Sequence, residues 1–291
     1  MTSGTAIPTT AFFVVVVIAL AGCSSPAPEP DILEAPVAAE ARIPLTEVRT
    51  LQSSTVGRDY KIYIALPVSY ATGTSDAYPV VYLLDADLWF GAVADPTRLL
   101  HWEKATPEMI VVGIGYGISW DDPDEFQRLR NIDFTPTHVE TSPGSGGAGD
   151  FLRFIQEDLF PYIDSNYRTD PVDRTIAGLS DGALFSLYAL FQAPETFNRY
   201  IAVSPHLAWD DRAIFQNEAR FAKENAELRA ELFLAVGSLD REFASDLMDF
   251  HRTLKDRNYG GLTMQIVVME QETHLSVFPG AFSRGLRAVF Q

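Results

Sequence analysis

The segment RTIAGLSDGALFSLYAL, residues 174–190, places a short apolar run, a Gly-Leu-Ser-Asp-Gly corner and a run with helical spacing one after another. Ser180 lies between Gly178 and Gly182, and small residues on both sides allow a strand to turn sharply into a helix. The pattern also fits an ordinary glycine turn capped by serine. The apolar strand before it and the helix after it favour a nucleophile elbow, in which a strained turn exposes the serine hydroxyl.

Strands and helices alternate on both sides of this corner. Apolar or alternating runs predict the strands RDYKIYIALP, YPVVYLLD, EMIVVGIGYG, RTIAGL, RYIAVSP, ELFLAVG and LTMQIVVME. Helical spacing predicts the helices DFLRFIQEDLFPYIDSNY, DGALFSLYALFQA, DRAIFQNEARFAKENAELRA, EFASDLMDFHRTLKDR and AFSRGLRAVF. The chain is therefore expected to have an α/β fold, with a mostly parallel central sheet covered by helices on both faces. The stretch 116–150, with its SPGSGGAG run, is expected to be a mobile surface excursion near the carboxyl edge of the sheet.

An activated serine needs a base, because its hydroxyl is a poor nucleophile until a histidine takes the proton. In α/β-hydrolases the chain order is serine, acid, histidine, which leaves His206, His251 and His274 of the five histidines. His251 lies in the middle of a predicted helix, where a solvated face is the better interpretation. His206 directly follows a strand, too early for an acid on a later strand to precede it. His274, between the last strand and the last helix, is the predicted base.

The acid that orients His274 should follow the strand ELFLAVG, where GSLDREF supplies Asp240. An aspartate at that position also fits a helix N-cap. Glu242 is close enough to compete for the same role. Asp240 is the predicted third member of a catalytic triad.

The tetrahedral intermediate of acyl transfer needs two backbone N–H donors, one of them from the residue after the nucleophile. That residue is Asp181. A carboxylate beside a developing oxyanion is unfavourable at low dielectric unless it points away or is neutralised. The Asp181 side chain is therefore expected to turn aside, to cap the following helix or to contact a hydroxyl-bearing or cationic group of the substrate.

Composition limits the classes of function. The 291 residues are 47% hydrophobic and 12% aromatic, enough for a sizeable core in one α/β domain. A formal net charge of -17 disfavours nucleic acid and anionic lipid surfaces as partners, and weakly disfavours anionic substrates. Because there is no H-E-x-x-H motif, paired cysteine ligands or glycine-rich phosphate loop, no metal or nucleotide cofactor is expected. The acidic run DDPDEF is better explained as a solvated loop than as a calcium site.

The amino terminus has the features of a bacterial lipoprotein. Residues 1–22 carry no charged side chain and contain AFFVVVVIALAG, which has the length of a signal-peptide core. LAGC, ending at Cys23, resembles the lipobox, in which the cysteine is acylated after cleavage. A signal sequence that merely contains a cysteine, or a short buried helix, is the alternative.

The predicted organisation is a signal peptide (1–22), an acylated Cys23 with a flexible tether (23–44) and a hydrolase domain (45–291). Ser24 implies retention at the outer membrane of the cell envelope.

The chain resembles the esterase branch of the α/β-hydrolases in five ordered stretches: YPVVYLLDAD, RNIDFTPT, DLFPYIDSNYRTD, AGLSDGALFSLYALFQAPETFNRYIAVSP and ETHLSVFPGAFSRGL. This branch contains enterobactin-type siderophore esterases, esterase D, feruloyl esterases and the antigen 85 mycolyltransferases. The resemblance covers the chain from about Val56 onward. It implies that the second oxyanion donor follows the strand ending in the segment LDAD, which makes it the amide of Asp87, although Ala86 replaces the family's glycine.

One stretch departs from the family. SPHLAWD stands where siderophore esterases often have a serine-rich and tryptophan-rich stretch, so His206 and Trp209 are candidates to line a different acyl or alcohol pocket. Trp89, Tyr116 and Trp120 are further candidates at the expected edge of the cleft, with core packing as the alternative.

The leading interpretation is a lipid-anchored serine carboxylester hydrolase that forms an acyl-enzyme. Its small-molecule substrate would be a siderophore lactone, a feruloyl or acetyl ester of plant material, or another small ester. The acidic surface weakly disfavours a trianionic ferric catecholate, unless a basic patch including Arg128 and Arg130 reverses this. Some siderophore esterases work with a Ser–His pair, which leaves the need for Asp240 open. The alternatives are an acyltransferase with the same triad and a non-catalytic binding module.

Overall fold

The computed structural model describes Met1 and residues 41–72, 77–118 and 121–291. Residues Arg42–Gln291 form one compact unit. Apart from Met1, the predicted signal peptide lies outside the described residues, as do Cys23, the tether up to residue 40, and Trp120. In the described ranges, no helix has both the length and the apolar character needed to cross a bilayer.

The described residues form one sheet of eight strands: β1 (Thr46–Gln52), β2 (Asp59–Ala65), β3 (Tyr78–Leu83), β4 (Ile110–Gly115), β5 (Thr169–Leu179), β6 (Arg199–Val203), β7 (Glu227–Gly237) and β8 (Gly260–Met269). Their spatial order is β1-β2-β4-β3-β5-β6-β7-β8. β2 pairs antiparallel with β1 and with β4, and all other neighbours are parallel. β4 is buried along its whole length, which explains why such central strands consist of continuous apolar residues.

Helices pack on both faces of the sheet. One face packs against α1 (Ala86–Trp102) and α8 (Val277–Val289). The other packs against α2 (Pro123–Phe134), α3 (Ala148–Arg153), α4 (Phe160–Asn166), α5 (Asp181–Gln192), α6 (Trp209–Glu224) and α7 (Arg241–Arg257). A 3-10 helix (Val68–Thr72) follows β2, and a π-helical turn (Phe154–Leu159) joins α3 to α4. The predicted class, a mostly parallel sheet between helical layers, is confirmed.

The expectation of a mobile surface excursion over residues 116–150 is wrong where α2 forms. The Asp122 carboxylate caps this helix by accepting a hydrogen bond from the backbone N–H three residues later, at 3.1 Å. Phe126 and Phe134 are buried, so α2 contributes an apolar face. The glycine-rich run is also tied back to this helix, since the Gly147 N–H donates to the Ile132 carbonyl at 2.9 Å.

Other elements also differ from the sequence prediction. No helix was expected over Ala86–Trp102, where α1 forms. The helix predicted over 211–230 ends at Glu224, and β7 begins at Glu227. Glu227 is paired with Gly260 of β8, and this pairing overrides the helical preference of the Ala, Glu and Leu residues there. β1 was not expected. It is an edge strand whose side chains are all exposed or partly exposed, so no buried face marks it in the sequence.

Candidate active site

Four neighbouring strands carry the predicted chemistry at their carboxyl ends. Ser180 follows β5, His206 follows β6, Asp240 follows β7 and His274 follows β8. Neighbouring parallel strands end at the same edge of a sheet, so residues distant in sequence meet there. Ser180 and both histidines line one cleft of about 350 Å³.

Ser180 has the geometry of a nucleophile elbow. Its backbone has φ 59° and ψ -119°, a conformation that L-residues rarely adopt and that stores strain. A Cβ atom on Gly178 would lie 2.5 Å from the carbonyl carbon of Gly182. The first glycine is therefore needed because the start of α5 passes directly over the end of β5.

His274 is held by Asp240. The imidazole Nδ1–H donates to Oδ2 of Asp240 at 2.7 Å, which leaves Nε2 for the cleft. Glu242, the competing acid of the sequence analysis, makes no hydrogen bond to this ring among the described residues. An imidazole oriented by a carboxylate is the arrangement that a general base requires.

The Asp181 carboxylate is buried and fully engaged. It accepts hydrogen bonds from Nδ1 of His206 at 2.7 Å and from the side chains of Arg130 and Gln127, each at 3.3 Å. Burial alone would raise the pKa of Asp181, but the hydrogen bond from His206 and the charge of Arg130 bring the pKa below its ordinary value. The expectation that this side chain caps α5 is wrong, because no side-chain hydrogen bond caps the start of the helix. Its contact with a substrate group stays a prediction. The carboxylate is neutralised by Arg130.

Arg130 connects the two loops that are predicted to form the oxyanion site. Its Nε and Nη2 donate to the two carboxylate oxygens of Asp85 at 2.7 and 3.0 Å, and its Nη1 donates to Asp181. Asp85 directly precedes α1, and its side chain is buried. Burial raises the pKa of Asp85, and the guanidinium of Arg130 opposes this rise. The guanidinium thus fixes the start of α1 against the start of α5.

The basic patch considered for Arg128 and Arg130 is absent from the described residues. Arg130 is 8% exposed and shared between two carboxylates. Arg128 is exposed but paired with Glu125 on the same helix, at 2.6 Å. Neither guanidinium is free to attract an anionic substrate.

Asp87 lies in the first turn of α1 with its carboxylate turned toward the loop after β4. The carboxylate accepts hydrogen bonds from the backbone N–H groups of Tyr116 and Gly117 at 2.6 and 2.9 Å, and from the Tyr63 hydroxyl at 2.7 Å. The next residue along the chain, Leu88, lines the cleft. The amide of Asp87 as second oxyanion donor stays a prediction.

Residues 53–284 match the model of a family described as "Putative esterase". The chain belongs to this esterase family. It is 34% identical over 269 residues to the ferri-bacillibactin esterase BesA of Bacillus subtilis, covering 84% of this chain and 89% of that relative. The siderophore triacetylfusarinine C esterase of Aspergillus fumigatus is 26% identical, covering 81% of this chain and 90% of that relative. The crystal structure of the BES protein from Bacillus cereus superposes with a TM-score of 0.78 at 29% identity, covering 87% of this chain and 98% of that one.

These similarities confirm two of the sequence predictions. The esterase has the α/β-hydrolase fold of its structural neighbours. It is a carboxylic ester hydrolase, as its relatives are named.

Of the five aromatic and histidine candidates for the substrate pocket, four lie in the described residues, and they differ in their positions relative to the cleft. Trp89 and His206 line the cleft of the esterase, with Trp89 packed on Phe278 at a ring distance of 4.8 Å. Tyr116 lies behind the cleft, where its hydroxyl donates to a buried aspartate at 3.2 Å. The indole N–H of Trp209 donates to the Thr137 hydroxyl at 3.1 Å, and its ring stands edge-on to His206.

Sequence reasoning missed several residues of the site. Phe243 lies between the two imidazoles, with ring distances of 4.4 Å to His274 and 5.8 Å to His206. Its position in the first turn of α7 carries no sequence signal. Arg130 stands in the family stretch RNIDFTPT, so the resemblance could have marked it as part of the site. In the described part of the chain, no three His, Cys, Asp or Glu side chains are grouped to hold a metal ion.

Proposed function

We propose that this esterase hydrolyses siderophore esters through an acyl-enzyme formed on Ser180. One observation carries the mechanism: an elbow serine shares a cleft with a histidine whose Nδ1 is held by a carboxylate at 2.7 Å. The names of the relatives in Bacillus subtilis and Aspergillus fumigatus support the substrate class.

In the proposed reaction, Nε2 of His274 takes the proton of the Ser180 hydroxyl as Oγ attacks the ester carbonyl carbon. Negative charge develops on the carbonyl oxygen, and the backbone N–H groups of Asp181 and Asp87 stabilise it. The C–O bond to the alcohol then breaks, and His274 returns the proton to the leaving alkoxide. A water molecule, deprotonated by His274, releases the acid from Ser180. Asp240 keeps the proton on Nδ1 and stabilises the imidazolium in both steps.

The cleft also constrains how the substrate binds. Its volume of about 350 Å³ is near the lower end of the range for ligand pockets. Trp89, Phe126 and Phe243 give it apolar walls. A single ester arm with its adjoining apolar group fits such a space, while the rest of a larger siderophore stays outside.

The test is hydrolysis of defined siderophores by the purified chain. The wild type and Ser180→Ala are each incubated with bacillibactin, triacetylfusarinine C and enterobactin, in metal-free and in ferric form. The products are separated by chromatography and identified by mass spectrometry. We expect opened and fragmented esters with the wild type only. If simple esters are hydrolysed while every siderophore stays intact, the substrate assignment is wrong. Acyl transfer to an added alcohol in place of hydrolysis would favour the acyltransferase alternative.

We also propose that the esterase is anchored in the bacterial cell envelope by lipid on Cys23, at the outer membrane. The LAGC motif and the uncharged apolar stretch before it support this proposal. Expression with radiolabelled palmitate should label the wild type and leave Cys23→Ser unlabelled, with the variant moving from the membrane fraction to the soluble fraction. Equal fractionation of the two proteins would contradict the anchor.

A further inference from the structure

The cleft holds a second histidine–aspartate pair that the proposed mechanism does not use. His206 donates its Nδ1–H to Asp181 at 2.7 Å, the same length as the bond between His274 and Asp240. The backbone N–H of His206 also donates to the carbonyl of Ser180 at 3.2 Å. Two imidazoles fixed in the same manner therefore line the cleft of one serine.

The contacts of His206 define which ring atom faces a ligand. Asp181 is an ionised carboxylate that only accepts hydrogen bonds, so Nδ1 carries the proton. Nε2 then presents a lone pair, and no side chain or backbone group in the described ranges bonds to it. The imidazole is 34% exposed, and the Phe243 ring packs beside it. The ring is thus held rigidly with one acceptor atom left for a ligand.

The electrostatic surroundings distinguish the two pairs. The charge of Asp181 is shared with Arg130, which lies 3.3 Å away, whereas Asp240 has no cationic partner besides His274 among the described residues. A carboxylate already paired with a guanidinium stabilises an imidazolium less well. The two pairs thus differ in charge: His274 is bound to an aspartate without a guanidinium partner in the described part of the chain, whereas His206 is bound to one that Arg130 already neutralises.

We propose that Nε2 of His206 accepts a hydrogen bond from a donor group of the substrate, a hydroxyl or an amide N–H next to the scissile ester. His206 is then a specificity-determining residue that selects esters carrying such a donor. A site built to accept a hydrogen bond discriminates against an analogue that lacks the donor, because the bound ester removes water from the acceptor and leaves it unpaired. This inference rests on the proposed function of Ser180 as the nucleophile.

The test compares matched ester pairs that differ only in the donor. The pairs are 2-hydroxyethyl and 2-methoxyethyl butyrate, ethyl 3-hydroxybutyrate and ethyl 3-methoxybutyrate, and ethyl N-acetylglycinate and ethyl N-acetylsarcosinate. They place the donor on the alcohol, on the acyl chain, or on an amide. The ratio of kcat/KM within each pair is measured for the wild type, His206→Phe, His206→Gln and the control His251→Gln on α7.

The wild type and the control should favour the donor about tenfold in at least one pair. His206→Phe should bring that ratio close to one, and His206→Gln, whose amide oxygen still accepts, should keep part of it. A wild type without preference in any pair, or a preference unchanged in His206→Phe, would overturn the proposal.

Labelling with a fluorophosphonate distinguishes a wrong role for His206 from a wrong proposed function. Ser180 should be labelled in the wild type and in His206→Phe. If the folded wild type is not labelled at Ser180, the proposed function fails. If labelling is lost in His206→Phe but kept in His274→Ala, then His206 is the base and its role as a neutral acceptor is disproved.

Discussion

The proposed mechanism depends on the side chain of Asp240. Its carboxylate holds Nδ1 of His274 at 2.7 Å and so determines which ring nitrogen faces the cleft. Asp240→Asn presents an amide that can hold the wrong tautomer, so kcat for ester hydrolysis should fall by about 10³ to 10⁴. Steady-state kinetics on a simple ester, with Glu242→Gln as the matched control, measure this. A fall of less than about tenfold would mean that Ser180 and His274 work as a pair without the acid.

The individual residues also differ in how far sequence could predict them. Ser180 is marked by its own neighbours, because the two glycines reflect the close approach of a strand and a helix. His274 and Asp240 follow from chain order once the serine is chosen. The bond between Asp181 and His206 could not be predicted, since it depends on how β5 and β6 align at the sheet edge.

At the scale of elements, the contact between β5 and α5 requires a glycine at residue 178. Gly178→Ala would place a Cβ atom 2.5 Å from the backbone of Gly182, so the helix must shift and the elbow must open. We expect loss of esterase activity together with a lower melting temperature. Gly91→Ala in α1 is the control, because no atom lies within 4 Å of its added Cβ. This control should keep full activity and gain about 0.5 to 1 kcal/mol of stability. An active Gly178→Ala with an unchanged melting temperature would contradict the packing.

A second contact between elements, Arg130 on α2, ties α1 to α5. Arg130→Met leaves the buried carboxylates of Asp85 and Asp181 without their cation, so the free energy of unfolding should fall by about 3 to 5 kcal/mol. Arg128→Met removes only an exposed pair with Glu125 and should cost less than about 1 kcal/mol. Urea unfolding of both variants measures the difference. Equal losses would show that the buried bridge does not hold the elements together.

The elements that sequence missed either lack a clear apolar face or depend on a contact distant in sequence. The apolar residues of α2 are interleaved with seven charged or polar ones, and the helix lies in a stretch rich in turn signals, so the sequence does not show a clear apolar face. β1 has no buried side chain. The boundary between α6 and β7 is determined by pairing with β8, which is a contact distant in sequence. By contrast, β4 and α5 bury nearly all their residues, and their apolar runs predicted them directly.

For the whole molecule, the net charge of -17 should govern the approach of charged esters. Arg130 lines the cleft, but Asp85 and Asp181 neutralise it. This guanidinium therefore does not offset the repulsion between the acidic protein and an anionic ester. Salt screens such repulsion, since the Debye length falls from about 30 Å at 0.01 M to about 8 Å at 0.15 M. Raising sodium chloride over this range should lower KM for monoethyl succinate by a few fold and leave KM for diethyl succinate unchanged. Parallel responses of the two esters would contradict a charge effect.

The central claim is that Ser180 is a nucleophile activated by His274. The most direct measurement is the rate of labelling of the folded chain by a fluorophosphonate, with the labelled peptide identified by mass spectrometry in the wild type, Ser180→Ala, His274→Ala and His251→Ala. The account predicts rapid labelling at Ser180 alone in the wild type and in His251→Ala, none at that position in Ser180→Ala, and a rate at least about a hundredfold lower in His274→Ala. A folded wild type that is not labelled at Ser180, or a His274→Ala that is labelled at the wild-type rate, would contradict it.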